Sequence, residues 1–190
     1  MKNKNLLLGV FVLVALIQLF VPGKMIYDHE RIISQGREYK FKMAAYDPSD
    51  FIRGKYLNIN YTNNEILISK KDGWDNGESV YVILNVGNDG YAMIQSVSRI
   101  MPASNVSFVK VRIRSLGTEK MFVEYPFNKY FLDESKAEKA QKMINDIFHG
   151  KDLVCYARVS INEGDFVIQD LIINGLSLNY ILKEGKEITK

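Results

Sequence analysis

A chain of 190 residues and 21.8 kDa has room for one ordinary domain, or two small ones, plus a short appendage. Its 47% hydrophobic and 25% charged content, with 13 Gly and 4 Pro, excludes collagen, low-complexity polymers and wholesale disorder. Two of the 25 basic residues, Lys2 and Lys4, precede an apolar leader. That leaves 23 against 22 acidic groups, a balance that argues against a nucleic-acid partner, while one Cys and two His exclude an internal disulfide and an ordinary Cys/His zinc site.

The sharpest feature is Leu6 to Val21, an uncharged run whose single polar side chain is Gln18. Extended through Pro22 and Gly23 to Ile26, with Lys24 snorkelling, it reaches about 31 Å as a helix, enough for a bilayer core. The expected anchor is residues 1–26, with lipid contact through residues 6–26. Lys2 and Lys4 place the amino terminus inside and the remainder outside by the positive-inside bias. A cleaved secretory signal is the rival reading, but Gln18 to Met25 lacks a small-x-small triplet and no lipid-accepting Cys follows.

Residues 27–36 read as a connector whose mixed sequence either continues the helix or forms a short link, stopped by Gly36. From Arg37 the pattern changes to period two. Tyr39, Phe41 and Met43 alternate with Lys40 and Lys42, a strand with one face on a core. Asp47-Pro-Ser-Asp50 reads as a turn before a strand over 55–61, with Leu57, Ile59 and Tyr61 on one side. Further strands are expected over 65–69, 79–86, 91–100, 106–114, 120–125, 153–161 and 165–173. Gly87 to Gly90 and Asn162 to Gly164 serve as hairpin turns. One helix near 134–148 is expected from the capping-box spacing of Ser135 and Glu138 and from Ala137, Ala140 and Ile147, closed by Gly150. The fold class is therefore mainly β (α+β): an N-terminal transmembrane helix, then an antiparallel β-rich domain over 37–176. Its halves are either one core or two subdomains, 37–105 and 106–176, and residues 177–190 read as a tail.

Candidates for chemistry are sparse. Asp47, Asp50 and Arg53 can meet around one turn, as an acid/base or metal pair or, on the structural reading, as an Asx turn with a paired Arg; Gly54 serves the strand entry. Phe122, Tyr125, Phe127, Tyr130 and Phe131 form either a binding groove or a packed corner. Trp74 on a Gly-rich loop is a packing plug or a contact residue, and Cys155 a small buried hydrophobe. On the strand at 106–114, Lys110, Arg112 and Arg114 alternate with Val109, Val111 and Ile113, so this basic row faces solvent or an acidic partner.

Taken together, Val21 to Ile26, Glu30 to Gly36 and Asp47-Pro-Ser-Asp-Phe-Ile-Arg-Gly-Lys-Tyr-Leu-Asn-Ile-Asn-Tyr61 resemble the GDYXXLXY family of bacterial membrane-anchored proteins. Tyr125-Pro-Phe-Asn-Lys-Tyr-Phe-Leu-Asp-Glu134 is similar to that family's later aromatic segment. Lys55 stands where the family motif has Asp, Ile59 where it has Leu, and Pro126-Phe127 where it has Gly-Ile. The resemblance marks Asp47, Asp50, Arg53, Gly54, Tyr56, Ile59 and Tyr61 as one motif, and Tyr125, Tyr130, Phe131 and Glu134 as a second. It implies a bacterial cytoplasmic-membrane location and a multi-pass membrane protein as partner.

The function expected is a membrane-anchored, non-enzymatic β domain that binds or supports a membrane or envelope protein, with Lys110, Arg112 and Arg114 as the partner face and no cofactor. One alternative is a periplasmic small-ligand or glycan binder using Trp74 and the Tyr-rich surface. The other is a relative of signal-peptidase-like serine proteases, suggested by Arg53-Gly54 and Lys110. That reading lacks a nucleophile in context, since Ser34 has no Ser-Met-x-Pro setting.

Overall fold

A computed structural model describes residues 2–44, 56–69, 73–103, 105–133, 136, 140 and 154–184. The elements in chain order are α1 (Lys2–Gln35), β1 (Arg37–Lys42), β2 (Tyr56–Asn58), β3 (Glu65–Leu67), β4 (Ser79–Val86), β5 (Ala92–Ser98) and β6 (Phe108–Leu116). They continue with β7 (Lys120–Glu124), β8 (Lys129–Phe131), β9 (Cys155–Asn162), β10 (Asp165–Ile173), β11 (Leu176–Ser177) and α2 (Leu178–Glu184). Of the expected helix near 134–148, only Lys136 and Ala140 are described, both helical; the rest lies outside the described residues, as do Asp47, Asp50, Arg53, Gly54 and Glu134.

Of the two conformations open to residues 27–36, the helix continues: α1 runs unbroken from the apolar run to Gln35, with Pro22 inside it. A proline is tolerated at membrane depth where surrounding groups re-satisfy the backbone. The apolar side chains from Leu6 to Ile26 are exposed, and the helix is long and apolar enough to cross a membrane. Its last turns change character. Lys24 pairs with Asp28, Ser34 Oγ donates to the Glu30 carbonyl at 2.8 Å, and Ile32 is buried where α1 packs on β9 and β10. The Gly36 N–H then closes the helix on the Ile32 carbonyl at 3.0 Å.

The strands form three antiparallel sheets, ordered β1-β9-β10-β11, β3-β7-β6-β4-β5 and β2-β8. The two subdomains weighed for 37–105 and 106–176 are not separate units, because β1 pairs with β9 along Arg37↔Ile161 to Lys42↔Tyr156, and β4 pairs with β6. Alternating apolar residues from both halves point into one core, and burying that face requires strands distant in sequence to pair. Strands β5 and β6 flank β4 and run parallel to each other, so their connection crosses β4.

Of the expected tail at 177–190, the described residues 177–184 fold back onto the core. Asn174-Gly175, both at positive φ, end β10 as a hairpin turn. The chain returns as β11 and then α2, whose Leu178, Ile181 and Leu182 are buried. The β9-β10 turn is also tight: Glu163 (φ 49°) and Gly164 (φ 91°) link the pair Asn162↔Asp165. Gly164 then bridges to Val109, taking the place beside β6 beyond the last β7 partner and tying the two larger sheets together.

Candidate functional site

Period two splits the first motif between two environments. Leu57, Ile59 and Tyr61 are buried, whereas Tyr56, Asn58 and Asn60 are half-buried on the opposite side. The second motif meets it directly, because β2 pairs with β8 through Tyr56↔Phe131, Leu57↔Tyr130 and Asn58↔Lys129. The Ile59 N–H donates to the Asn128 carbonyl at 2.8 Å, and Tyr61 Oη donates to the Phe127 carbonyl at 2.8 Å. Tyr125 Oη donates to the Asn63 carbonyl at 2.8 Å. Segments some 66 residues apart are thus stitched by two buried phenols.

Behind the stitch is an aromatic core centred on Phe41. Its ring lies 5.5 Å from Tyr61, 5.2 Å from Tyr125 and 4.8 Å from Phe127, all edge-on, while Tyr125 and Phe127 stack at 5.0 Å. Such geometries are favoured by the ring quadrupoles. The packed-corner reading holds for Tyr125, Phe127 and Tyr130, which are buried. It fails for Phe131, which is 70% exposed because its side of β8 has no covering element among the described residues. Tyr130 Oη accepts from Asn179 Nδ2 at 2.9 Å, and burial and then nearby Asp170 raise its pKa.

In front lies a polar cleft of about 500 Å³, a size suited to a small ligand or a short peptide segment. Asn58, Asn60, Asn64 and Asn128 line it with Tyr56, and Arg114 and Lys129 bring positive charge. A second hollow of about 410 Å³ takes in Lys110, Arg112, Gly164 and Phe166, and the two share Glu124, Tyr125 and Asn128. Glu124 Oε1 accepts from Asn128 Nδ2 at 2.8 Å. Lys110, Arg112 and Arg114 are exposed, and none enters an ion pair among the described residues. Arg114 sits where the register with β7 slips by one residue, a bulge that turns it toward the first hollow.

The structure therefore brings Tyr56 beside the basic row, while Ile59, Tyr61 and Tyr125 belong to the core and border the cleft from behind. The cleft carboxamides are not among the residues that either sequence motif marks, yet the alternation that buries Leu57, Ile59 and Tyr61 also places Tyr56, Asn58 and Asn60 on a shared opposite face. Trp74 stands apart from the cleft, packed against the core with the Arg99 guanidinium 4.1 Å over its ring. Arg99 also donates to Glu78 at 2.6 Å and holds its carboxyl below the usual range. Cys155 is buried in β9, and burial pushes its thiol up to about 11. Among the described residues, no cluster of His, Cys, Asp or Glu is placed to hold a metal ion.

Burial raises the pKa of both Tyr61 and Tyr125, and the Tyr125 phenol adds to the shift at Tyr61. The unfolded chain ionises its tyrosines near pH 10, whereas the folded protein keeps these two protonated, so their stabilisation is complete below about pH 10 and is lost above it. Each should remove about 1.4 kcal/mol of stability per pH unit beyond that point. Cys155 adds a loss in the same direction, beginning nearer pH 9. Tyr61→Phe is expected to cost about 1–2 kcal/mol at pH 7 and to flatten the alkaline decline, as read by denaturant unfolding between pH 7 and 11. An unchanged alkaline slope would show that Tyr61 ionises freely in the fold.

A helix long and apolar enough to span a membrane, leading without a break into an antiparallel β domain with two adjoining cation-lined hollows, defines this as a β protein with an amino-terminal apolar helix. The chain belongs to the GDYXXLXY protein family, whose profile matches residues 18–171 and so includes the end of the apolar helix and both motif segments. No curated protein and no solved structure matches it.

Proposed function

We propose that this protein is a membrane-anchored, non-enzymatic domain that binds or supports a membrane or envelope protein partner. It would sit in the bacterial cytoplasmic membrane with its amino terminus inside and its β domain outside. The observation that carries the reading is the continuity of α1. Its apolar part is exposed, yet Ile32 near its end is buried where the helix packs on β9 and β10. Residues 27–35 extend about 13 Å beyond the apolar run, so the helix would hold the domain close to the bilayer in a set orientation. A domain held this way can present its basic row to a neighbouring membrane protein at little further orientational cost.

The test is mild crosslinking in native membranes followed by affinity purification and mass spectrometry, comparing the wild type with Lys110→Glu/Arg112→Glu/Arg114→Glu. Recovery of a specific membrane protein, lost in the variant, is expected. If the wild type recovers none, the partner reading fails. The ligand-binder alternative keeps support from the four cleft carboxamides, which both donate and accept as hydroxyl-rich ligands require. Trp74 is not part of that cleft, so the ligand-contacting group there would be Tyr56.

A further inference from the structure

We infer that the two adjoining hollows act as one trough that seats an extended acidic segment of the partner protein, with carboxylates at alternate residues. The inference rests on the partner reading above and names the chemistry of the contact. Four cations line the trough, Lys110, Arg112, Arg114 and Lys129, against one carboxylate, Glu124, which already accepts a hydrogen bond from Asn128. None of the four is in an ion pair among the described residues, although the Lys129 ammonium lies 5.0 Å over the Tyr56 ring. Like charges so close together favour a counter-charge from outside.

Spacing and hydrogen bonding narrow the occupant. Lys110 and Arg112 are alternate residues of β6, so their Cα atoms stand roughly 6.6 Å apart, the i to i+2 repeat of an extended chain lying alongside. The floor offers carboxamides, among them Asn60, Asn64 and Asn128, each with a donor and an acceptor, the pairing pattern of a peptide unit. A lipid phosphate or a polyphosphate offers acceptors alone. Placement agrees with a membrane-embedded partner. Gly164 borders the Lys110 end of the trough, in the β9-β10 hairpin whose Ile161 carbonyl lies 3.0 Å from the Cβ position of Gly36, where α1 ends.

The experiment uses the full chain in neutral phosphatidylcholine nanodiscs and fluorescence anisotropy with three labelled eight-residue probes: alternating Glu-Thr, the same composition with its four Glu in one block, and alternating Gln-Thr. The alternating Glu probe is expected to bind best, the block probe about fivefold more weakly and the Gln probe not at all. Lys110→Glu/Arg112→Glu/Arg114→Glu should weaken the alternating probe at least about tenfold. The milder Lys110→Ser/Arg112→Ser/Arg114→Ser should give an intermediate loss, with circular dichroism melting confirming that both variants fold. Asn128→Ala should weaken the peptide while leaving binding to phosphatidylglycerol vesicles unchanged.

Equal affinity for the alternating and block probes would overturn the inference. So would vesicle binding that follows the basic row while the peptides do not bind, which would assign the trough to lipid. If native-membrane crosslinking recovers a protein whose contacts map outside the trough, the partner reading stands and this inference falls. If no protein is recovered yet the probes bind in the expected order, the partner reading fails and the trough's peptide selectivity stands.

Discussion

Truncating Phe41 to Ala is expected to destabilise the β domain by about 3–5 kcal/mol, the cost of a large cavity where no neighbour can collapse inward. Phe41 is 1% exposed, and four aromatic rings approach it, those of Tyr39, Tyr61, Tyr125 and Phe127. Those neighbours come from three separate stretches of chain, and two of them carry the phenols that join the motif segments. The loss should therefore reach the cleft as well as the core, by freeing the Phe127 and Asn63 carbonyls from Tyr61 and Tyr125. Denaturant unfolding of the full chain in detergent micelles, followed by circular dichroism, measures the effect. Phe41→Leu serves as the control that keeps most of the volume and should cost far less. A loss below about 1 kcal/mol for Phe41→Ala would show that the aromatic cluster is loosely packed.

The second large effect is expected at the junction of helix and sheet. A Cβ on Gly36 would sit 2.3 Å from the Ile32 carbonyl oxygen and 3.0 Å from that of Ile161, both backbone atoms that cannot swing aside. Gly36→Ala should cost about 2–3 kcal/mol, either by shifting the last turn of α1 or by parting it from β9. Gly23 supplies an internal control, since nothing lies within 4 Å of its Cβ position, and Gly23→Ala should be close to neutral. Hydrogen exchange at the amides of residues 32–36 would locate the damage. If the span and the domain depend on a fixed mutual orientation, Gly36→Ala should also reduce crosslinking to the partner while leaving the basic row intact. Wild-type protection at those amides in Gly36→Ala would mean that the junction relaxes without uncoupling.

Much of the fold was legible in the alternation of side chains. The strands at Arg37–Lys42 and Phe108–Leu116 fall where apolar and polar residues alternate, because one face of each is buried and the other is wet, while Ser79–Val86 and Asp165–Ile173 show as largely apolar runs bounded by turn residues. The apolar leader was equally clear, as was the turn at Gly87 to Gly90, where the Gly87 N–H meets the Tyr91 carbonyl at 2.8 Å. Strand β8 was not legible. Its three residues, Lys129 to Phe131, are too few to show a period, and they are extended because β2, about 70 residues earlier, supplies the ladder. Helix α2 did carry a signal, Leu178, Ile181 and Leu182 at helical spacing, but a short amphipathic turn near a chain end acquires meaning only from the core that receives it.

The candidate site divides in the same way. That Lys110, Arg112 and Arg114 share one exposed face followed from sequence alone, since period two leaves them no other side once Val109, Val111 and Ile113 are buried. That Tyr56 and the second aromatic segment form one wall, that Tyr61 belongs to the core, and that four carboxamides floor the cleft were decided by tertiary structure. Local sequence determines which way a strand residue points, because the backbone pleat is a local property. Which residues it then meets depends on pairings such as β2 with β8 and β1 with β9, in which the free energy of closing a shared core selects partners that no local pattern names.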